Sequence, residues 1–186
     1  MKGKRLFIIH GYTASPEDNW FPWLKEKLEA LGYHVDVPDM PESNSPDPKR
    51  WQQRLIDANI KLDEDTILVG HSLGCITLLR FLSEQASENT KIGGYILVAG
   101  FNREQDNLLE LNSHICEDLD YNKLIKISDK RVSVISSNDP AVDPQASKDL
   151  ANSLQTKIFI EDNAGHFLDR DGYTELPILL DIINNN

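Results

Sequence analysis

Basic charge, cysteine and long apolar runs are all scarce in this chain of 186 residues. Lys and Arg number 19 against 30 Asp and Glu, a net charge of -11, so no basic face is available for nucleic acid or an anionic membrane. Neither is expected as a partner. The two cysteines, Cys75 and Cys116, form no metal-ligand spacing and no disulfide framework. They suit a reducing compartment, and a cytoplasmic location is the expectation, with neither metal nor other cofactor required. Near the start, Lys2, Lys4 and Arg5 precede only four apolar residues, Leu6 to Ile9. That is too short for a signal-peptide core or a membrane span. Internal repeats, low-complexity tracts and linkers are also missing, so residues 1–186 read as a single domain. A chain of this length buries roughly 70% of the surface its unfolded form exposes.

What is present is alternation. Short runs rich in β-branched residues recur at Arg5–His10, His34–Pro38, Thr66–His71, Gly94–Gly100, Arg131–Ser137 and Thr156–Glu161. Helical periodicity fills most of the gaps. Trp23, Leu24, Leu28 and Leu31 share one face before Gly32, which suits a helix stop. Trp51, Leu55, Ile56, Ala58 and Ile60 mark a second helix, entered through Asp47-Pro48. Further helices are expected at Leu73–Leu82, Gln145–Leu154 and Glu175–Ile183. Phe101–Leu119 reads as polar loop with a short helix. Strands alternating with helices predict a six-stranded, mainly parallel α/β sheet covered on both faces. Only about thirty residues separate the fourth and fifth runs, too few for an inserted lid domain.

Directly behind the third run stands Gly70-His71-Ser72-Leu73-Gly74, a match to G-x-S-x-G. A strand that ends in a Gly-flanked serine and passes straight into a helix holds the hydroxyl on a strained elbow, open to a base and to a carbonyl. Ser72 is the candidate nucleophile. Three fixed positions arise by chance in roughly one chain in twenty of this length, and a serine at this place also suits a helix N-cap. Other strand ends decide the matter. In an open parallel sheet functional groups gather beyond the carboxyl ends of the strands. Asn138-Asp139-Pro140 follows the fifth run and Gly165-His166-Phe167 the sixth. Ser, Asp and His therefore reach one edge in the chain order that accompanies the nucleophile elbow. For the acid, Asp143, Asp162 and Asp169 compete with Asp139. Asp139 is favoured because it comes two residues behind the fifth run, and Asp143-Pro144 reads as a helix cap.

The chain resembles the α/β-hydrolases, and more narrowly the small serine hydrolases grouped with retinoblastoma-binding protein 9 and the bacterial YdeN-type proteins. The likeness rests on Phe7–Gly11, Trp20–Leu24, Gly70–Gly74, Ser137–Pro140 and Ala164–Phe167. It implies a compact, lidless α/β-hydrolase fold, a triad of Ser72, Asp139 and His166, and esterase or related activity on a small ester, thioester or amide through an acyl-enzyme. It also implies an oxyanion hole built from the backbone N–H groups of Leu73 and Tyr12. The Leu-x-Cys-x-Glu motif associated with retinoblastoma binding is absent, since the segment before the elbow reads Ile60-Lys61-Leu62-Asp63-Glu64. That partner is not carried over. A protein-binding module on a hydrolase fold, with little turnover, is the alternative function.

Other residues admit plainer roles. Cys75 reads as a small buried side chain, His71 as packing at the elbow, and His10 as a brace for the loop after the first strand. Aromatics on helices that cover a sheet are mostly core. Trp20 and Phe21 nevertheless follow the proposed oxyanion loop closely, Phe101 and Phe167 stand just beyond strand ends, and all four are the candidates for an acyl-pocket wall.

Overall fold

The computed structural model describes residues 3–185. Six strands, β1 (Arg5–Ile9), β2 (His34–Asp36), β3 (Thr66–His71), β4 (Gly94–Val98), β5 (Arg131–Ser136) and β6 (Lys157–Glu161), form one sheet in the order β2-β1-β3-β4-β5-β6. Every adjacent pair is parallel. The apolar runs of β3 and β4 are buried at every residue, as strands covered on both faces must be.

Alternation along the strands divides the core in two. Phe7, Ile9, Leu68 and Leu97 face a cluster packed by helices α2 (Pro48–Asp57), α3 (Leu73–Gln85), α4 (Tyr121–Lys126) and α5 (Pro144–Leu154). Leu6, Ile8, Val69 and Ile96 face the opposite cluster, packed by α1 (Phe21–Ala30) and α6 (Pro177–Asn184). The chain moves from β1 outward to β2, then returns past β1 to β3 and continues the other way. Right-handed crossovers then require α1 on one face and α3 on the other. Consequently the loops leaving β1 and β3 part in opposite directions, and a crevice opens between their carboxyl ends.

Local chemistry sets most helix starts. Asp47 accepts the Arg50 N–H and Asp143 the Gln145 N–H, and each cap is followed by a proline in the first turn. Several helix boundaries differ from expectation: α3 runs on past Leu82 to Gln85, and α5 starts one residue early at Pro144. Helix α2 stops at Asp57, because Asn59 takes a positive φ of 50° and turns the chain. Ile60 is buried from the loop instead. Helix α6 begins at Pro177, not Glu175, since proline fits the first turn and has no N–H to lose there. The stretch after β4 holds a 3₁₀ turn at Leu109–His114, and α4 just beyond it is too short to show periodicity in sequence.

Candidate active site

Ser72 occupies a conformation that L-residues seldom adopt, with φ 55° and ψ −121°. The glycines around it make this turn possible. A Cβ on Gly74 would lie 2.0 Å from the Ile9 carbonyl oxygen, and one on Gly70 would lie 2.8 Å from the Cys75 Cα. Without side chains at both places, the first turn of α3 presses against β1 and β3 and forces the strand to turn sharply at Ser72. The loop after β1 lies equally close. A Cβ on Gly11 would stand 3.2 Å from the Ser72 Cβ and 3.5 Å from the Leu73 nitrogen.

Three strand ends converge on this point. The Ser72 hydroxyl is 2.9 Å from His166 Nε2, and His166 Nδ1 is 2.7 Å from Asp139 Oδ2. An ionised carboxylate can only accept, so Nδ1–H donates to Asp139 and Nε2 is left to accept the serine proton. The second carboxylate oxygen of Asp139 accepts the N–H groups of Ala141, at 2.8 Å, and Val142, at 3.0 Å. These bonds hold the acid in one orientation. None of the competing acids bonds the His166 ring: Asp143 caps α5, Asp162 accepts the Ser137 hydroxyl, and Asp169 accepts the Arg170 N–H.

Polar residues of the flanking turns lock the histidine in place. Asp171 Oδ2 accepts the His166 N–H at 2.9 Å and the Leu168 N–H at 3.2 Å. Asn138 Oδ1 accepts the Gly165 N–H at 2.9 Å, tying the loop that carries Asp139 to the loop that carries His166. Asn19 accepts the Asp169 N–H across the cleft. Sequence reading passed over all three. Their only local signal is a polar residue in a turn, a signal that many surface residues share.

His10 and His71 have structural tasks as neutral rings. His10 donates from Nδ1 to the Gly11 carbonyl and accepts the Met40 N–H at Nε2, bracing the loop as expected. His71 donates from Nε2 to the His166 carbonyl at 2.9 Å, and the two rings are 5.1 Å apart. Burial, reinforced by the neighbouring His166, pushes the His71 pKa down to about 3. Cys75 is fully buried, and desolvation raises its thiol pKa far above the ordinary value, which leaves it inert.

A cleft of about 370 Å³ opens over Ser72 and His166. Leu108, Leu111, Ala141 and Leu168 supply apolar wall, while Asp18, Asn19, Asp169 and Arg170 line the rest with polar groups. The aromatic candidates do not contribute. Trp20, Phe21, Phe101 and Phe167 are each no more than 1% exposed, and none lines the cleft. Their rings turn inward because the two faces of the sheet offer far more apolar contact than the rim. Trp20 and Phe21 instead pack edge-on against His71, 5.7 and 5.8 Å between centroids, and support the elbow from within.

A serine hydrolase family model matches residues 6–185. The chain belongs to the serine hydrolase family. This serine hydrolase is 38% identical over 182 residues to YdeN of Bacillus subtilis (strain 168), a protein named as a hydrolase, covering 98% of this chain and 95% of that one. The crystal structure of the ydeN gene product superposes with a TM-score of 0.93 over 97% of this chain and 96% of that one. Serine hydrolase RBBP9 of Rattus norvegicus is 22% identical over 150 residues, 80% of this chain and 77% of that one. A bromoperoxidase from Bacillus anthracis, 13% identical with a TM-score of 0.73 over 100% of this chain and 93% of that one, shares the fold. The architecture is thus that of the α/β-hydrolases. Among the described residues no helix is long and apolar enough to cross a membrane.

Proposed function

We propose that this serine hydrolase cleaves a small ester, thioester or amide through an acyl-enzyme, with Ser72 as nucleophile, His166 as general base and acid, and Asp139 as its orienting carboxylate. The observation that carries the reading is the unbroken relay from Ser72 Oγ to His166 to Asp139, at 2.9 and 2.7 Å. A serine hydroxyl is a weak nucleophile at neutral pH, so its proton must leave as the new bond forms. His166 Nε2 takes that proton while Oγ attacks the substrate carbonyl, and Asp139 stabilises the resulting imidazolium. Collapse of the tetrahedral adduct breaks the bond to the leaving group, which receives the proton from Nε2. A water then attacks the acyl-serine with His166 again as base, and acid product and free Ser72 result.

The oxyanion is held by the N–H groups of Leu73 and Tyr12. Leu73 opens α3, so its N–H has no acceptor within the helix and carries the positive end of the helix dipole. Gly11 brings the next residue, Tyr12, against the elbow from β1. One such donor is worth ~2.7–4 kcal/mol in the transition state. The apolar wall of Leu108, Leu111, Ala141 and Leu168 receives the acyl group, in place of the buried aromatics. The free thiols of Cys75 and Cys116 agree with work in a reducing, cytoplasmic compartment.

The test is labelling by a fluorophosphonate together with p-nitrophenyl acetate hydrolysis. Wild-type protein is expected to label and turn over, and Ser72→Ala to abolish labelling and lower kcat by ~10⁶. Equal activity in the two proteins, or an unlabelled wild type, rejects the assignment.

A further inference from the structure

The two edges of the sheet are unlike. Strand β2 has three residues, and its Val35 carbonyl is covered by Lys25 Nζ at 2.8 Å. Strand β6 has five, with β5 on one side and, among the described residues, no strand on the other. It carries Ile158 at 38% and Ile160 at 49% exposure, two of the few large apolar side chains left in solvent. An open edge with an apolar surface is a template for another strand.

The sequence of β6, Lys157-Ile158-Phe159-Ile160-Glu161, is symmetric in its apolar residues and opposite in its end charges about Phe159. The Ser137 N–H donates to the Glu161 carbonyl, so residue 161, and with it 159 and 157, turns its backbone groups toward β5. Ile158 and Ile160 then present N–H and C=O to the open side. Two copies of β6 running antiparallel about a two-fold axis at Phe159 would exchange backbone hydrogen bonds between Ile158 and Ile160, the residues whose groups are free. The same register sets each Lys157 opposite the other copy's Glu161, on one face, and gathers four isoleucines on the other. Among the described residues Lys157 and Glu161 make no ion pair. The Lys157 ammonium rests 5.0 Å from the centroid of its own Phe159 ring.

We propose that β6 is the interface of a symmetric dimer, in which a second copy of this chain continues the sheet to twelve strands. A lysine on an edge ordinarily opposes strand pairing. Here Glu161, two places beyond the centre, turns that opposition into a choice of partner, because only an antiparallel copy in this register neutralises both charges. The contact is isologous, so it closes at two subunits and does not propagate.

Sedimentation equilibrium of the full chain across a wide concentration range, in wild type, Lys157→Glu, Glu161→Lys and the double charge swap, tests the proposal. Wild type is expected to pass from the monomer mass of 21.1 kDa toward twice that value as concentration rises. Each single variant brings like charges together twice across the axis and should weaken the dimer by about tenfold or more. The double swap restores both pairs, and its dissociation constant should return close to that of wild type. Both positions altered are surface charges, and an unchanged thermal melt confirms folding. Wild type that stays monomeric at every concentration overturns the proposal, as does a dimer indifferent to the single changes or one that the double swap fails to recover.

Discussion

Asp139 shows how much work one side chain does at the site. One carboxylate oxygen receives the His166 Nδ1–H and the other receives two backbone N–H groups, so both its charge and its direction are set. Asp139→Asn retains the shape but presents an amide where a carboxylate should accept, which favours the wrong tautomer of His166. On the proposed mechanism, kcat of this variant should fall by about 10⁴ with little change in stability, as read by ester hydrolysis beside a urea titration. Leu108 tests the apolar wall. Leu108→Trp should cut kcat/KM for long-chain esters relative to acetate by ~10-fold or more, the scale on which a pocket distinguishes a methylene. A ratio unchanged across graded acyl lengths would place the acyl group elsewhere. At this scale, the convergence of Ser72, Asp139 and His166 was more legible than its surroundings. Ser72, Asp139 and His166 could be read because each follows a strand. The inward turn of Trp20, Phe21, Phe101 and Phe167 could not, because residues one position apart at a helix start or behind a strand can face either core or rim.

Elements explain why Ser72 stands where it does. Strand β3 and helix α3 share no loop: the single residue Ser72 joins them, and Gly74 lets the helix touch β1. Because the atoms a new Cβ would meet are backbone, they cannot rotate aside. Gly74→Ala should therefore cost about 3 kcal/mol of stability and lower activity as the elbow moves away from β1, measured by urea denaturation and hydrolysis of the same preparation. Wild-type stability in that variant would mean the helix can retreat freely. The limits of β3 were legible to the residue, since its apolar run begins behind the charged Asp63-Glu64-Asp65 and ends at the glycine-flanked turn. Helix α4 was not, as six residues give fewer than two turns of periodicity.

For the molecule as a whole, burial of histidine sets the response to acid. His71 is neutral inside the fold and has a pKa of about 3, whereas in the unfolded chain it titrates near 6.5. Below pH 6.5 the unfolded state binds a proton that the native state refuses, so stability is fully present above that pH and is lost as pH falls toward 3. By pH 5 this group alone should remove about 2 kcal/mol. Burial also lowers the pKa of His10 and His114, which adds to the same slope. Urea titrations at pH 7.5, 6 and 5 should show the decline, and His71→Gln should make it shallower. A flat profile in wild type would mean that the buried histidines keep their ordinary affinity for protons.

Sequence alone determined the alternation of strands and helices, the elbow and the order Ser, Asp, His, because each depends on neighbours in the chain: apolar period, glycine spacing and the residue behind a strand. Tertiary structure decided which side chains wall the cleft, that Asn138 and Asp171 hold the histidine turn, and that β6 is left open at the edge. These depend on the path of the sheet, with its reversal between β1 and β3. That path is chosen by the sum of many long-range contacts, and no single stretch of residues records it.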